Sequence, residues 1–250
     1  MSRNSGEKLR GMFEMYSQKK LEIFIGYDKI ERVTWHTLCH SIIENSSVPI
    51  SLNPVAIEHF NDFFTRSRDA KQSNSFSFSR FAVPYLMNFS GYALFMDCDM
   101  MLRTDIAEII DVINADPEKA VHVVKHDYTP SETTKYLNTK QYAYPRKNWS
   151  SFVVWNCGHE KNRALTPEFF NTATGLELHR FTWLDDEDIG ELDIRWNWLV
   201  GDYRDPPVDV KNVHWTLGGP YFHEYADTDF AEEWFTSNKS MNYCAQRETE

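Results

Sequence analysis

A short, continuously apolar segment, Tyr92–Met96, runs directly into an acidic triplet, and this junction constrains the fold more than any other feature of the chain. A run without polar alternation is typical of a strand covered on both faces, as in a mostly parallel sheet. The triplet consists of Asp97, Cys98 and Asp99. Ligands of open α/β sheets bind beyond the carboxyl ends of such strands. The junction therefore predicts an α/β fold with a binding site at the two aspartates.

Alternating strand and helix patterns on both sides of the junction support an α/β fold. Its 250 residues suit one α/β domain with insertions. We expect an N-terminal extension at 1–20, one domain at 21–229 that divides near residue 125 into a nucleotide-binding and an acceptor-side part, and a helix and tail at 230–250. The predicted strands are 21–28, 50–55, 92–96, 120–124, 151–155 and 210–215; the predicted helices are 31–45, 79–89, 104–115 and 166–173, with an inserted loop or hairpin at 129–147 and an acidic helix or turn at 185–192.

Charge and cysteine usage exclude several classes of protein. The net charge of -11 argues against a nucleic-acid partner. The four cysteines form no CxxC pair, so neither a zinc site nor a disulfide framework is indicated, and reduced thiols predict a cytoplasmic protein. The first twenty residues lack the apolar core of a signal peptide, and no apolar run is long enough to span a bilayer.

Two carboxylates one residue apart at a strand end can share a hard divalent cation such as Mg²⁺ or Mn²⁺. Such an ion would stabilise a diphosphate leaving group. A solvated acidic turn is the alternative for Asp97 and Asp99.

His214 lies in another predicted strand, near its end, and Gly218 and Gly219 follow it. A neutral imidazole that can bind a metal and backbone amides that can bind a phosphate are therefore available there. A core histidine beside a turn is the alternative.

Three further groups are candidates for the same cleft. The acidic run at Asp186, Glu187 and Asp188 offers a carboxylate beside a reacting sugar, or a solvated face. Arg80 offers a cation for a phosphate or a site aspartate, with Lys125 and His126 as weaker candidates. A sugar or acceptor wall, or alternatively part of the core, is predicted for the aromatic and polar residues Trp149, Ser150, Ser151, Trp155 and Asn156.

No P-loop, GxGxxG fingerprint, HExxH or GxSxG motif occurs in the chain, which removes the main support for kinase, dehydrogenase, zincin and hydrolase functions. The ordered motifs over residues 21–221 instead resemble GT-A-fold glycosyltransferases, and most closely family 8. The segments that carry the resemblance are 23–28, the Arg80 helix, the DxD-like Leu94–Asp99, the DQD-like 186–189 and the His-Gly element 214–221. Two departures are Glu187 in place of the usual glutamine and the absence of the family's lysine near Pro220.

The resemblance implies a Rossmann-like nucleotide lobe, a UDP-sugar donor and retention of anomeric configuration. It further implies that Asp97, Asp99 and His214 bind the metal and that Tyr27 and Asp28 face the base. Arg80, Cys98, Gly218 and Gly219 join the donor site, and the acidic run lies beside the transferred sugar. Two rivals remain: a sugar nucleotidyltransferase, for which residues 21–35 lack the Gly-rich basic loop, and a non-catalytic carbohydrate-binding module.

Overall fold

Two β-sheets organise the chain in the computed structural model, which describes residues 18–68, 72, 74–127 and 146–243. The strands of the larger sheet are β1 (Leu21–Gly26), β2 (Ile50–Val55), β3 (Tyr92–Met96), β5 (Val121–Val123), β6 (Phe152–Asn156) and β7 (Ile189–Glu191). Their order across the sheet is β2-β1-β3-β6-β5-β7.

Strand direction in the larger sheet decides which chain segments meet. Strands β1, β2 and β3 pair in parallel, as do β5 and β7, whereas β6 runs antiparallel to both β3 and β5. This confirms the predicted mostly parallel sheet, in which β6 is the antiparallel member. Strands β3 and β5 therefore end at the edge where β6 begins, which we call the site edge. The opposite edge, where β6 ends and β5 and β7 begin, is the far edge.

The smaller sheet joins distant parts of the chain. It consists of β4 (Met100–Leu102), β8 (Trp198–Leu199) and β9 (Asn212–His214), in the order β4-β9-β8. Strand β9 is antiparallel to β4, with Met100 opposite His214, and parallel to β8, with Leu199 opposite His214. Because β4 follows Asp99 directly, this pairing brings His214 to the acidic triplet.

Helices cover the larger sheet. In chain order the α-helices of the described residues are α1 (Arg32–Glu44), α2 (Val83–Leu86), α3 (Glu108–Ala115), α4 (Pro167–Thr172), α5 (Gly175–His179) and α6 (Ala231–Met241). The predicted helix at 79–89 is a 3-10 turn, Ser79–Ala82, continued by α2, whose first turn contains Pro84. The helix predicted from Thr104 begins later, at Glu108, and its Ile109, Ile110 and Ile113 are buried as its periodicity predicted.

Two predictions fall largely outside the described residues: the N-terminal extension, apart from 18–20, and the insertion at 129–147, apart from 146 and 147. Among the helices that are described, none combines the length and apolarity needed to cross a membrane. The cytoplasmic location stays a prediction.

Candidate metal and donor site

Asp97, Asp99 and His214 form one cluster at the site edge. Asp97 follows β3, and its backbone N–H donates to the Ser151 carbonyl at 2.9 Å. Pairing of β4 with β9 places His214 Nε2 3.3 Å from an Asp99 carboxylate oxygen. The three side chains each offer a ligand atom within 4.8 Å of the others. The sequence thus named all members of this cluster.

The donor set fits a divalent cation. With bonds of about 2.1 Å, ligand atoms around such an ion lie roughly 3 to 4.2 Å apart, so the observed separations require only small side-chain adjustments. Two carboxylates and one imidazole suit Mn²⁺, and the carboxylates also suit Mg²⁺. Asp97 and His214 are buried, at 7% and 2% exposed, which limits competition from water.

Arg80 is part of the same cluster. Its guanidinium lies 2.8 Å from Asp97 and also donates to the Ser150 carbonyl at 3.0 Å. The rings of Phe76 and Phe95 lie about 5 Å from the guanidinium carbon, at 5.2 and 5.1 Å. Arg80 therefore supplies the cation that compensates the Asp97 carboxylate, one of the two roles expected for it.

Ser150 and Ser151 are buried beside the cluster and do not form part of an open sugar or acceptor surface. Both are 3% exposed in the 3-10 turn Trp149–Ser151 that precedes β6. Ser150 contacts Arg80 through its carbonyl, and Ser151 contacts Asp97 through its carbonyl. The Ser151 hydroxyl also accepts from Asn197 at 2.9 Å. These buried contacts correct the prediction that the two serines face an acceptor.

The Cys98 side chain is buried beside α1. It is fully buried, and burial, followed by the neighbouring Glu31 and Asp99 carboxylates, raises the pKa of its thiol well above the usual range. The thiol contacts the Thr34 hydroxyl in α1. The predicted place of Cys98 among donor-binding residues is corrected: its side chain packs inward, and only its backbone follows the site.

Glycines shape the turn after His214. Gly218 has φ +134°, which favours glycine, and its N–H donates to the Trp215 carbonyl at 3.1 Å. A Cβ on Gly219 would lie 2.3 Å from the Tyr221 ring, so that ring occupies the space of a side chain. The Tyr221 hydroxyl donates to buried Glu31 at 2.9 Å, and burial, then the Glu31 and Asp99 carboxylates, raise the pKa of Tyr221 far above its usual value.

Tyr27 and Asp28 follow β1 and differ in availability. Tyr27 is half-buried with its ring edge-on to Trp35, at 6.0 Å between centroids. Asp28 is 4% exposed, and its carboxylate accepts from the Ile30 N–H and from both the N–H and hydroxyl of Ser75. The Asp28 side chain thus fastens the β1 loop to Ser75.

The acidic run lies at the far edge of the sheet, contrary to expectation. Residues Asp186–Asp188 form a 3-10 turn directly before β7, whose first residue, Ile189, is paired with Val121 at the far edge. The Asp188 carbonyl accepts from the Ala120 N–H at 2.8 Å. Lys161 contacts the Asp188 carboxylate at 2.6 Å, and Glu187 is exposed. The sheet register does not bring Asp186, Glu187 or Asp188 to the metal cluster.

Trp155 and Asn156 are also placed elsewhere. Asn156 ends β6, four residue steps from the site edge, which is about 13 Å at roughly 3.3 Å a step. Its amide donates to the Pro117 and Lys119 carbonyls. Trp155 is 1% exposed and packs among Phe81, Phe181 and Trp183. The alternative prediction, that Trp155 is part of the core, is therefore the one that the structure shows.

Trp149 differs from these two residues because it is half-buried near the site edge. Its indole N–H donates to the His126 carbonyl.

Sequence reasoning missed Asn197 and Tyr203. Asn197 is fully buried, and its amide oxygen lies 2.8 Å from His214 Nδ1. The Tyr203 hydroxyl oxygen lies 2.7 Å from His126 Nδ1. Burial, and then the neighbouring His214, lowers the pKa of His126 to about 3. A buried amide after Trp196 carries no periodic signal, so only the β8–β9 pairing reveals its role.

The chain is similar in sequence to a plant protein. No family model matches it. It is 44% identical over 231 residues to Protein CDI of Arabidopsis thaliana, and the match covers 90% of this chain and 88% of that protein.

Solved glycosyltransferase structures share the fold. The bifunctional glycosyltransferase WbbM, in its apo form, matches with a TM-score of 0.61 and 14% identity over 88% of this chain, which spans about half, 50%, of the WbbM chain. The galactosyltransferase LgtC, in complex with donor and acceptor sugar analogs, matches with a TM-score of 0.59 and 11% identity over 90% of this chain and 98% of LgtC. GlyE of Streptococcus pneumoniae TIGR4 matches with a TM-score of 0.59 and 13% identity over 92% of this chain and 66% of GlyE. At these identities the matches establish the GT-A fold.

Proposed function

The chain belongs to the family of Protein CDI from Arabidopsis thaliana, and we propose that it uses its GT-A fold to transfer a hexose from a UDP-sugar donor, with the help of a divalent metal ion. The cluster of Asp97, Asp99 and His214 carries this proposal. Two distant chain segments, 97–99 and the strand that ends at His214, converge there at the carboxyl end of β3, which is where ligands bind in open α/β sheets.

The proposed reaction breaks the bond between the anomeric carbon and the donor diphosphate and forms a bond from that carbon to an acceptor hydroxyl oxygen, whose proton is released. A divalent ion held by the cluster supplies positive charge that stabilises the departing UDP. Asp97 and Asp99 would hold that ion, and Arg80 fixes the Asp97 carboxylate. The backbone at Gly218 and Gly219 follows His214 and faces the diphosphate in this proposal.

The remaining assignments follow from the resemblance to family 8. We propose that the Tyr27 ring and the β1 loop contact the nucleotide, with Asp28 fixing the loop through Ser75. Trp149 is the one residue of the predicted sugar side that we keep as a sugar or acceptor contact, since it is half-buried near the site edge. Retention of anomeric configuration is part of the same proposal.

Donor turnover with and without chelator tests the proposal. We expect the chain to release UDP from at least one UDP-sugar in the presence of Mn²⁺, and EDTA or Asp99→Asn to reduce turnover on the order of 100-fold, which corresponds to about 2.7 kcal/mol of transition-state stabilisation. Asp186→Asn is the matched control, because Asp186 is an exposed aspartate that precedes β7 at the far edge.

Three outcomes discriminate among functions. UDP binding measured by calorimetry that is indifferent to EDTA and to Asp99→Asn would remove the metal from the proposal. Release of pyrophosphate from a nucleoside triphosphate and a sugar phosphate, instead of UDP, would identify a nucleotidyltransferase. Binding of glycans with no release of UDP from any of a panel of UDP-sugars would identify a carbohydrate-binding module.

A further inference from the structure

We propose that Asn197 is a positioning residue that fixes the tautomer and orientation of His214 and thereby sets the metal affinity of the cluster. This inference rests on the proposed function, because it concerns the same cluster. Asn197 ends the 3-10 turn Ile194–Asn197 and immediately precedes β8. Because β8 pairs in parallel with β9, the fold holds the fully buried Asn197 side chain beside His214.

The direction of the Asn197 amide follows from its neighbours. The Ser151 hydroxyl donates its single proton to the Asn148 carbonyl at 2.6 Å, so toward Asn197 it acts as an acceptor. Asn197 Nδ2 lies 2.9 Å from that hydroxyl oxygen and therefore donates to it. The other end of the amide, the acceptor oxygen, lies 2.8 Å from His214 Nδ1. A flipped amide would place two acceptors against each other at Ser151.

The amide oxygen determines the tautomer of His214. An amide oxygen only accepts, so the neutral His214 ring carries its proton on Nδ1 and presents the lone pair of Nε2. Nε2 faces Asp99 at 3.3 Å, which is the side of the metal cluster. A ring with its proton on Nε2 would direct an N–H at the cluster and could not coordinate a cation from that nitrogen.

His126 is the remaining hydrogen-bond partner of the Asn197 amide. The second Asn197 N–H donates to His126 Nε2 at 3.0 Å, which places the His126 proton on Nδ1, toward the Tyr203 hydroxyl. Burial favours this neutral ring. Both N–H donors and the amide oxygen of Asn197 are thus used, and these contacts place the ring proton of His126 and of His214 on Nδ1. Groups that orient a metal-bound histidine in this way change metal affinity by about 10- to 100-fold.

The test measures the tautomer and the affinity separately. In protein labelled with ¹⁵N-histidine and saturated with Mg²⁺, a diamagnetic cation that offsets the Asp99 carboxylate facing Nε2, long-range NMR spectra report which ring nitrogen of His214 is protonated. We expect protonated Nδ1 and unprotonated Nε2 in the wild type. In Asn197→Leu, which matches the side chain in size, we expect a mixture of tautomers and a 10- to 100-fold weaker Mn²⁺ affinity by calorimetry.

Two further variants separate positioning from a structural effect. Asn197→Asp keeps an acceptor for His214 Nδ1 and is expected to retain Mn²⁺ affinity within a few-fold of the wild type. Asn162→Leu removes a similarly buried asparagine, which bonds the Ala120 and Asn156 carbonyls at the far edge, and is expected to destabilise the fold without changing Mn²⁺ affinity.

The outcomes distinguish this inference from the proposed function. If the wild type binds no Mn²⁺, the proposed metal site fails. If the wild type binds Mn²⁺ but its His214 carries the proton on Nε2, or if folded Asn197→Leu binds as tightly as the wild type, the positioning role alone is overturned. The wild-type spectrum decides the tautomer even if Asn197→Leu does not fold.

Discussion

Arg80 illustrates how a single residue can be predicted in place but not in detail. Its type and its position before β3 indicated a cation near the site, and the structure pairs it with Asp97. The second contact, to the Ser150 carbonyl, depends on the turn before β6 and has no signature in the sequence. Neither side chain is more than one-tenth exposed, at 6% and 10%, so the pair is shielded from solvent.

Replacing Arg80 by Met should therefore leave the buried Asp97 carboxylate without the guanidinium that contacts it. We expect Arg80→Met to lower the free energy of unfolding of the metal-free protein by about 3–5 kcal/mol, as for other buried pairs that lose one partner. Mn²⁺ should raise the melting temperature of this variant more than that of the wild type, since a bound cation replaces part of the lost charge. Urea unfolding and thermal melts with and without Mn²⁺ measure both effects.

The matched control removes an arginine from an exposed ion pair. Arg195 contacts Asp193 and Asp209 at the surface, with the acids 46% and 66% exposed. Arg195→Met is expected to cost less than about 1 kcal/mol and to leave the response to Mn²⁺ unchanged. Equal responses of Arg80→Met and the wild type to Mn²⁺ would show that the ion does not approach Asp97.

At the scale of elements, the sequence predicted strands and helices better than their directions. The apolar Tyr92–Met96 and the periodic α1 were read from local patterns, and both occur. The antiparallel direction of β6 and the short strand β7 cannot be predicted from local patterns, because direction and register depend on pairing between distant segments. That is why Asp186–Asp188 and Trp155 were expected at the site, although the register places them at the far edge and in the core.

The end of β1 depends on a close approach that only glycine allows. A Cβ on Gly26 would lie 2.3 Å from the ring of fully buried Phe76, which also faces the Arg80 guanidinium. We expect Gly26→Ala to lower the free energy of unfolding by about 1–3 kcal/mol through overpacking. Gly158→Ala, whose Cβ would meet only ordinary contacts at 3.7 Å and beyond, should change it by less than about 0.5 kcal/mol. Denaturant titration that ranks the two variants equally would refute the packing argument.

In the whole molecule, each of the two sheets contributes different residues to the site. The larger sheet presents Asp97 at the end of β3, and the smaller sheet carries His214 and Asn197 to it. The turn before β6 connects the two, since Ser151 contacts both Asp97 and Asn197. Motif order along the chain predicted the three members of the cluster, but this convergence of buried polar groups follows only from the packed fold.

The same burial should make the molecule sensitive to mild acid. Burial, reinforced for one ring by His214 and for the other by Arg80 and Arg66, lowers the pKa of both His126 and His179 to about 3, against about 6.5 in the unfolded chain. The unfolded state therefore binds more protons between pH 6.5 and pH 3, so stability is full above pH 6.5 and declines as pH falls through that range. We expect each histidine to cost about 1–2 kcal/mol between pH 7.5 and pH 5.

Urea unfolding at pH 7.5 and pH 5 measures this decline, and His179→Gln isolates one contribution to it. The choice of pH 5 matters, because carboxylates with usual pKa values near 4 change protonation mainly below that pH. Gln at position 179 can still bond the Ser150 hydroxyl, which lies 2.7 Å from His179 Nδ1, but it does not titrate. The difference in unfolding free energy between the two pH values should shrink by about 1–2 kcal/mol in this variant. An unchanged difference would mean that His179 gains its proton in the folded protein as readily as in the unfolded chain.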